Sequence, residues 1–358
     1  MEERNFSLAF SLANGIGPKR FERLLKIFGS AKDAWSGTEN DFQKAGIGDL
    51  TYKKFENFRN SFNMQSYLEK LKQKEVQFIT LVDNNYPINL KKINNAPIVI
   101  YVKGDILNID WNKCIAVVGT RKVTKYGEEV TEKLVSELVA NGFLIVSGLA
   151  LGIDAKAHKT ALENNGKTIA VLGSGVDLCY PRENLFLYNK IAKDGGAIIS
   201  CFPLSMQPST GTFPARNRII SALSIGVLVT EAGEDSGALI TADYAKEQGK
   251  QIFAVPGPIT SKLSEGTSKL LKNGATFVSS VQDILDAFGM KLSALKNIEN
   301  YNFSSEEKKI YDVLKNESLN INEISKKTKI DISKLSIILT SLEIKGVVKN
   351  LGAGEFGI

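Results

Sequence analysis

The chain has 358 residues, 43% of them hydrophobic, and carries 45 Lys+Arg against 39 Asp+Glu for a formal charge of +6; it is too long for one ordinary domain and apolar enough for a sizeable core. The charge is spread, with 11 Lys+Arg and 9 Asp+Glu in each of the first 70 and the last 68 residues, so it permits a polyanionic partner without arguing for one. Cys114, Cys179 and Cys201 stand far apart, which speaks against a zinc site and a disulfide framework and fits a reducing cytoplasm; no signal peptide or bilayer-length apolar run is expected, hence no membrane partner.

From Phe6 to about Leu71 apolar residues recur at helical spacing, as in Phe21, Leu24, Leu25 and Phe28, which predicts a small helical domain over residues 1–72. Within it, Gly15-Ile-Gly-Pro-Lys-Arg20 and Gly46-Ile-Gly-Asp-Leu-Thr51 have the look of a duplicated helix-hairpin-helix unit. Such turns either present backbone N–H groups to a phosphate or simply join packed helices.

Residues 73–290 form the next expected domain. Phe78–Val82 and Pro97–Gly104 read as strands at or near the edge of a main sheet. From Lys113 to about Phe288 strands alternate with helices, the strands being Ile115–Val118, Leu144–Val146, Ile169–Leu172, Ala197–Ser200, Gly226–Thr230, Gln251–Val255 and Thr276–Val278. That alternation predicts an α/β fold, an extended Rossmann-like parallel sheet with helices on both faces, whose ligands bind outside the carboxyl ends of the strands. Residues 291–303 read as a linker. Residues 304–358, three helices followed by a short hairpin, have the layout of a winged helix.

Several strands run into Gly/Ser/Thr turns: Ile115-Ala-Val-Val-Gly-Thr-Arg121, Leu144-Ile-Val-Ser-Gly-Leu-Ala-Leu-Gly-Ile-Asp154 and Ile169-Ala-Val-Leu-Gly-Ser-Gly175. Their amides can cradle an anion. Arg121 sits beside such a turn, so it either grips a phosphate or pairs with a surface carboxylate. Phe213-Pro-Ala-Arg-Asn-Arg-Ile-Ile220 places a ring next to two arginines at a helix start; Phe213 either stacks on a base or is buried in the core.

Catalytic groups are scarce. His158, the single histidine, is expected as a surface or partly packed helix residue, since no serine or cysteine motif is arranged to use it. Asp154, Asp177, Glu231, Glu234 and Asp235 lie near strand ends at spacings that name no reaction, so capping and ion pairing are their expected roles. The glycine spacings do not match a dinucleotide fingerprint, and no Walker motif occurs, so neither cofactor nor metal is expected.

Taken together, Gly119-Thr-Arg121 with Tyr126-Gly127, Ser147-Gly-Leu-Ala-Leu-Gly-Ile-Asp154, Tyr180-Pro181 with Asn184, Phe213 to Ile220, Ser236-Gly-Ala-Leu-Ile-Thr-Ala242 and Phe253-Ala-Val-Pro-Gly257 resemble the DprA (Smf) proteins. The resemblance covers the whole Rossmann-like region. The flanks resemble the accessory helix-hairpin-helix/SAM-like and winged-helix domains of that family. It implies a cytoplasmic, non-enzymatic binder of single-stranded DNA that protects the strand, helps load the RecA recombinase during natural transformation, and forms a homodimer through the Rossmann-like domain.

The same resemblance implies the DNA-binding residues. Arg121 with Gly119 and Thr120, and Arg216, Asn217 and Arg218, would grip phosphates; Phe213 would stack on a base; Ser147, Gly148 and Gly152 would shape the pocket; Asn184 would lie beside it. Relatives often carry a lysine shortly before the phenylalanine, where this chain reads Pro208-Ser-Thr-Gly-Thr-Phe213, so that a cationic contact is either missing or supplied by Lys122 or Lys125. The winged helix is less basic than a typical DNA reader and equally resembles a partner-binding module. The competing readings are a nucleotide-hydrolysing Rossmann-like enzyme related to phosphoribohydrolases, whose Gly-Gly-x-Gly-Thr loop is absent from Thr230-Glu-Ala-Gly-Glu-Asp-Ser-Gly237, and a scaffold that senses a mononucleotide.

Overall fold

The computed structural model describes residues 2–106, 109–290, 303–315, 317–344, 347–352 and 354–357, and the chain divides into two compact units, Met1–Leu292 and Ser293–Ile358. The expected linker over 291–303 lies, except for Phe303, outside the described residues.

The first unit opens with six helices, α1 (Glu3–Leu12), α2 (Pro18–Phe28), α3 (Ala31–Trp35), α4 (Glu39–Lys44), α5 (Asp49–Ser61) and α6 (Met64–Gln73). Aromatic rings hold them together: Phe55 stacks on Phe10 at 5.2 Å and on Phe42 at 4.8 Å between ring centroids. Both Gly-Ile-Gly turns bury their isoleucines, Ile16 and Ile47. The nearby guanidinium groups are committed to turn carbonyls, Arg20 donating to Gly15 O at 2.5 Å and Arg23 to Ala45 O at 3.2 Å. The helices also share one hydrophobic core with the sheet, through residues such as Tyr101, Leu149 and Ile198. The boundary expected at residue 72 is therefore not a break in packing.

Next come β1 (Gln77–Thr80), α7 (Ile88–Lys91), β2 (Val99–Gly104), β3 (Cys114–Val118), α8 (Lys125–Ala140), β4 (Leu144–Ser147), α9 (Ile153–Glu163), β5 (Thr168–Val171), α10 (Leu185–Lys190), β6 (Gly196–Ser200), α11 (Thr212–Leu223), β7 (Gly226–Val229), α12 (Gly237–Glu247), β8 (Gln251–Ala254), α13 (Glu265–Lys272), β9 (Thr276–Phe277) and α14 (Val281–Ala287). The strands form one sheet in the order β1-β2-β6-β5-β4-β3-β7-β8-β9. From β6 to β9 every pairing is parallel, while β2 joins β6 and β1 joins β2 antiparallel. All five residues of β3 are buried, as expected of a strand covered on both faces. The chain steps outward from β3 to β6 in one direction and from β7 to β9 in the other, so the order reverses between β3 and β7. A crevice opens at the carboxyl ends of strands at such a point.

His158 departs from its expected place. It is fully buried on α9, with Nδ1 at 2.6 Å from Thr168 Oγ1 on β5. That hydroxyl donates to Ile145 O at 2.8 Å, so it accepts from Nδ1–H and leaves Nε2 without a partner. Burial first, and the nearby Arg216 second, push the imidazole down to about 3. The unfolded chain, with a pKa of about 6.5, binds the proton more readily, so this group's contribution is present above that value and lost as pH falls. Between pH 7 and pH 5 the loss is about 2 kcal/mol. Urea unfolding at the two values should show that pH dependence shrinking by this amount in His158→Gln relative to the parent.

The second unit contains α15 (Ser305–Leu314), β10 (Leu319–Asn320), α16 (Ile321–Thr328), α17 (Ile332–Ile344), β11 (Lys349–Gly352) and β12 (Glu355–Gly357), with a small sheet in the order β10-β12-β11. Capping boxes start α15, with Ser304 and Glu307, and α16, with Asn320 and Glu323. The strand β10, which the sequence did not announce, completes a winged-helix layout. Ile332 and Ile337 are exposed on α17, and Lys334 there pairs with Glu306 at 2.6 Å.

Candidate functional site

The crevice at the reversal point is a cleft of about 960 Å³. The turn after β3 forms one wall with Gly119, Thr120, Arg121 and Lys122; α11 supplies Phe213, Arg216 and Asn217; the loop after β7, from Gly233 to Gly237, closes the other side. Two backbone bonds tie the turn after β3 to the chain just past β7 and to the start of α9. Thr120 N donates to Glu231 O at 2.7 Å, and Ile153 N donates to Thr120 O at 3.1 Å.

Arg121 is exposed and forms no ion pair among the described residues. Its guanidinium lies 5.4 Å from the centroid of the Phe213 ring, within the range of a cation–π contact. Phe213 is half-buried on the first turn of α11. Its other neighbour is Tyr180, 48% exposed, whose ring centroid is 5.9 Å away. Arg121, Tyr180 and Phe213 also line a smaller pocket with Gly148, Leu151 and Pro208. A guanidinium and two accessible rings thus converge where a base and its phosphate would fit.

Arg216 has a different position from the one expected of a phosphate grip. It is 5% exposed. Its Nη1 donates to Gly148 O and, at 2.6 Å, to Val171 O, and its Nε donates to Asn217 Oδ1 at 3.0 Å. It therefore clamps the ends of β4 and β5 from below. Burial pushes its guanidinium down to about 10, with Asp154 opposing and Arg121 adding to that shift. Asp154 is buried beside it and accepts from Gly148 N at 3.1 Å and Ala150 N at 3.4 Å. Burial raises the Asp154 carboxyl and Arg216 is the main influence lowering it. Gly148 is required here, because an added Cβ would collide with the Arg216 guanidinium.

Arg218 is not in the cleft. Two residues along a helix is a turn of about 200°, so it projects from another face of α11 and donates to Asn94 O and Asn95 O at 2.9 Å each. Asn217 is 8% exposed at the cleft wall and donates to Gly237 O at 3.2 Å. Ser147 is fully buried, donating to Val117 O at 2.7 Å, and cannot touch a ligand. Asn184 stands behind the loop after β4 and holds it by donating to Leu149 O and Ala150 O at 2.9 and 3.2 Å. Gly152 starts α9 with φ +76°, where a Cβ would strike the Thr120 carbonyl; it shapes the turn from beneath.

The acids near the strand ends also have structural partners. Glu231 is buried and accepts from Thr124 N at 2.9 Å and Thr124 Oγ1 at 2.5 Å. Asp177 pairs with Lys74 at 2.8 Å, and Glu234 pairs with Lys269 at 3.6 Å. Glu234 and Asp235 line the far side of the cleft together with Lys262 and Glu265, so positive character is concentrated at Arg121 and Lys122. Lys122 lines the cleft that Phe213 also lines, whereas Lys125 lies 3.9 Å from Glu129 on α8; the cation against the Phe213 ring is Arg121. Tyr180 was part of the sequence resemblance but was not assigned to the site. Its place in the site rests on its contact with Phe213.

The family described as DNA recombination-mediator protein A matches residues 77–289, and that of the sugar-specific transcriptional regulator TrmB matches residues 298–353. Protein Smf of Synechocystis is 40% identical over 291 residues, covering 80% of this chain and 73% of the relative. The X-ray structure of DNA processing protein A from Streptococcus pneumoniae superposes with a TM-score of 0.70 at 35% identity, over 79% of this chain and 97% of that one. A structure concerned with the single-stranded DNA binding mode of DNA processing protein A from Helicobacter pylori gives 0.54 at 32% identity, over 60% and 97%.

Proposed function

The chain belongs to the DNA recombination-mediator protein A family, and from that membership and the cleft we propose that it binds single-stranded DNA without sequence preference, as a binder and not an enzyme. It protects the strand in the cytoplasm and helps load RecA during transformation and recombination. It does so as a homodimer, which brings two strand sites onto one assembly.

The observation that carries this reading is the Arg121 guanidinium over the half-exposed Phe213 ring, at the mouth of a cleft walled by strand-end turns. Stacking accepts any base because every base has a π-face, and a single strand offers unstacked bases that a duplex does not. The reading as a binder is supported by Asp154, Glu231 and His158, which are buried in bonds that hold the fold, and by Glu234, which is paired with Lys269. Incubation with nucleoside monophosphates should release no free base; accumulation of base would favour the hydrolase instead.

Salt dependence of oligo-dT binding, followed by fluorescence anisotropy, tests the role of Arg121. Each phosphate neutralised on a single strand contributes about 0.7 to the slope of log K against log salt. Arg121→Ala should lower the slope by about that amount. An unchanged slope would remove Arg121 from the interface.

A further inference from the structure

Arg218, turned away from the cleft, helps build a second pocket. This cavity of about 270 Å³ is lined by Asn89, Lys92, Asn94, Arg218, Glu247 and Lys250, among others, and approaches the lower end of small-ligand sites, about 300 Å³. Three cations face it against one carboxylate, Glu247. Neither Lys92 nor Lys250 has a carboxylate within ion-pair distance among the described residues.

The walls are fixed before any ligand arrives. Arg218 is anchored by its two bonds to Asn94 O and Asn95 O, and Gln248 locks α11 by donating to Arg218 O at 3.2 Å while accepting from Ser221 Oγ at 2.8 Å. Asn89 donates to Trp111 O at 3.2 Å. Lys250 is placed by its own N–H, which donates to Ala245 O at 2.8 Å just before β8 begins. Half-burial, and then Lys92, lower the pKa of Lys250. Like charges held together in excess of the one carboxylate are destabilising, and a bound oxyanion relieves them.

We propose that Lys92, Arg218 and Lys250 form a second anion site that takes a phosphate group. Its source is either a free phosphate compound or a phosphodiester of the strand held at Phe213, and only the second source rests on the strand-binding reading. The helices α11 and α12 line both places, the first cleft through Phe213 and Ala238 and the second pocket through Arg218 and Glu247. A long strand therefore has a continuous pair of helices to follow from one to the other.

The test compares the parent with the Lys92→Gln/Lys250→Gln double variant, which leaves the Arg218 anchor in place. In one arm, thermal unfolding is followed with inorganic phosphate or pyrophosphate against chloride at matched ionic strength. A ligand that binds the folded state raises Tm; the rise should occur in the parent and be smaller in the variant, which keeps only the first cleft. In the other arm, salt slopes are measured for a short oligo-dT that reaches one pocket only and for a long one. If the strand supplies the phosphate, the variant should lose roughly 0.7 of slope with the long strand and nothing with the short one. A response in the first arm alone assigns the site to a free phosphate compound. No difference between parent and variant in either arm overturns the proposal, whereas failure of the parent to bind the short strand would count against the Phe213 site and leave the phosphate arm to decide this one.

Discussion

Replacing Arg216 with methionine lowers the stability of the protein by about 3 to 5 kcal/mol, the range for leaving a buried charge uncompensated. The loss has two sources. The carbonyls of Gly148 and Val171 lose their donor, and the Asp154 carboxylate, already disfavoured by burial, loses the nearby positive charge that lowers its pKa. Urea unfolding at neutral pH measures the effect. Adding Asp154→Asn should recover part of it, because an amide needs no compensating charge there, and the double-mutant cycle should show a coupling between the two sites. If Arg216→Met unfolded like the parent while losing DNA binding, the guanidinium would belong to the ligand and the clamp assignment would be wrong.

Replacing Phe213 with alanine leaves the fold in place and weakens oligo-dT binding by about 1 to 3 kcal/mol, the value of one base stacked on an aromatic ring. At its upper end this is roughly a hundredfold in Kd. The salt slope should stay that of the parent, since a phenyl ring neutralises no phosphate. This separates Phe213 from Arg121, which acts on the slope. Anisotropy titrations at several salt concentrations read both quantities from one data set. Loss of slope in Phe213→Ala would mean that the ring serves to position the guanidinium 5.4 Å away and does not hold a base.

The centre of the sheet was legible because β3, β4, β5 and β7 are buried on both faces and so read as near-continuous apolar runs, as Cys114–Val118 does before Gly119. The position of the cleft followed, since a parallel sheet admits ligands at the carboxyl ends of its strands. The roles of neighbouring residues were less legible. Arg216 and Arg218 carry the same side chain two positions apart, and the sequence does not say which face of α11 (Thr212–Leu223) meets the sheet; the packing of that helix directs one arginine inward under the loops and the other to the Asn94 and Asn95 carbonyls. Ser147 resembled a loop residue but is the last residue of β4, where its buried hydroxyl is committed to the Val117 carbonyl and lies beside the Asp154 carboxylate. Tyr180 depends on the loop after β5 meeting the start of α11, a contact between distant segments that no local pattern encodes. The burial of His158 against Thr168 is of the same kind.

Binding of a labelled oligo-dT and of a duplex of equal length, measured side by side at one salt concentration, bears most directly on the convergence of Arg121 and Phe213 as a seat for an unpaired strand. The single strand should bind at least about tenfold more tightly, a difference of about 1.4 kcal/mol, because only its bases are free to stack on the ring. Equal affinity for the two, or binding to neither, would contradict the assignment of the cleft to single-stranded DNA.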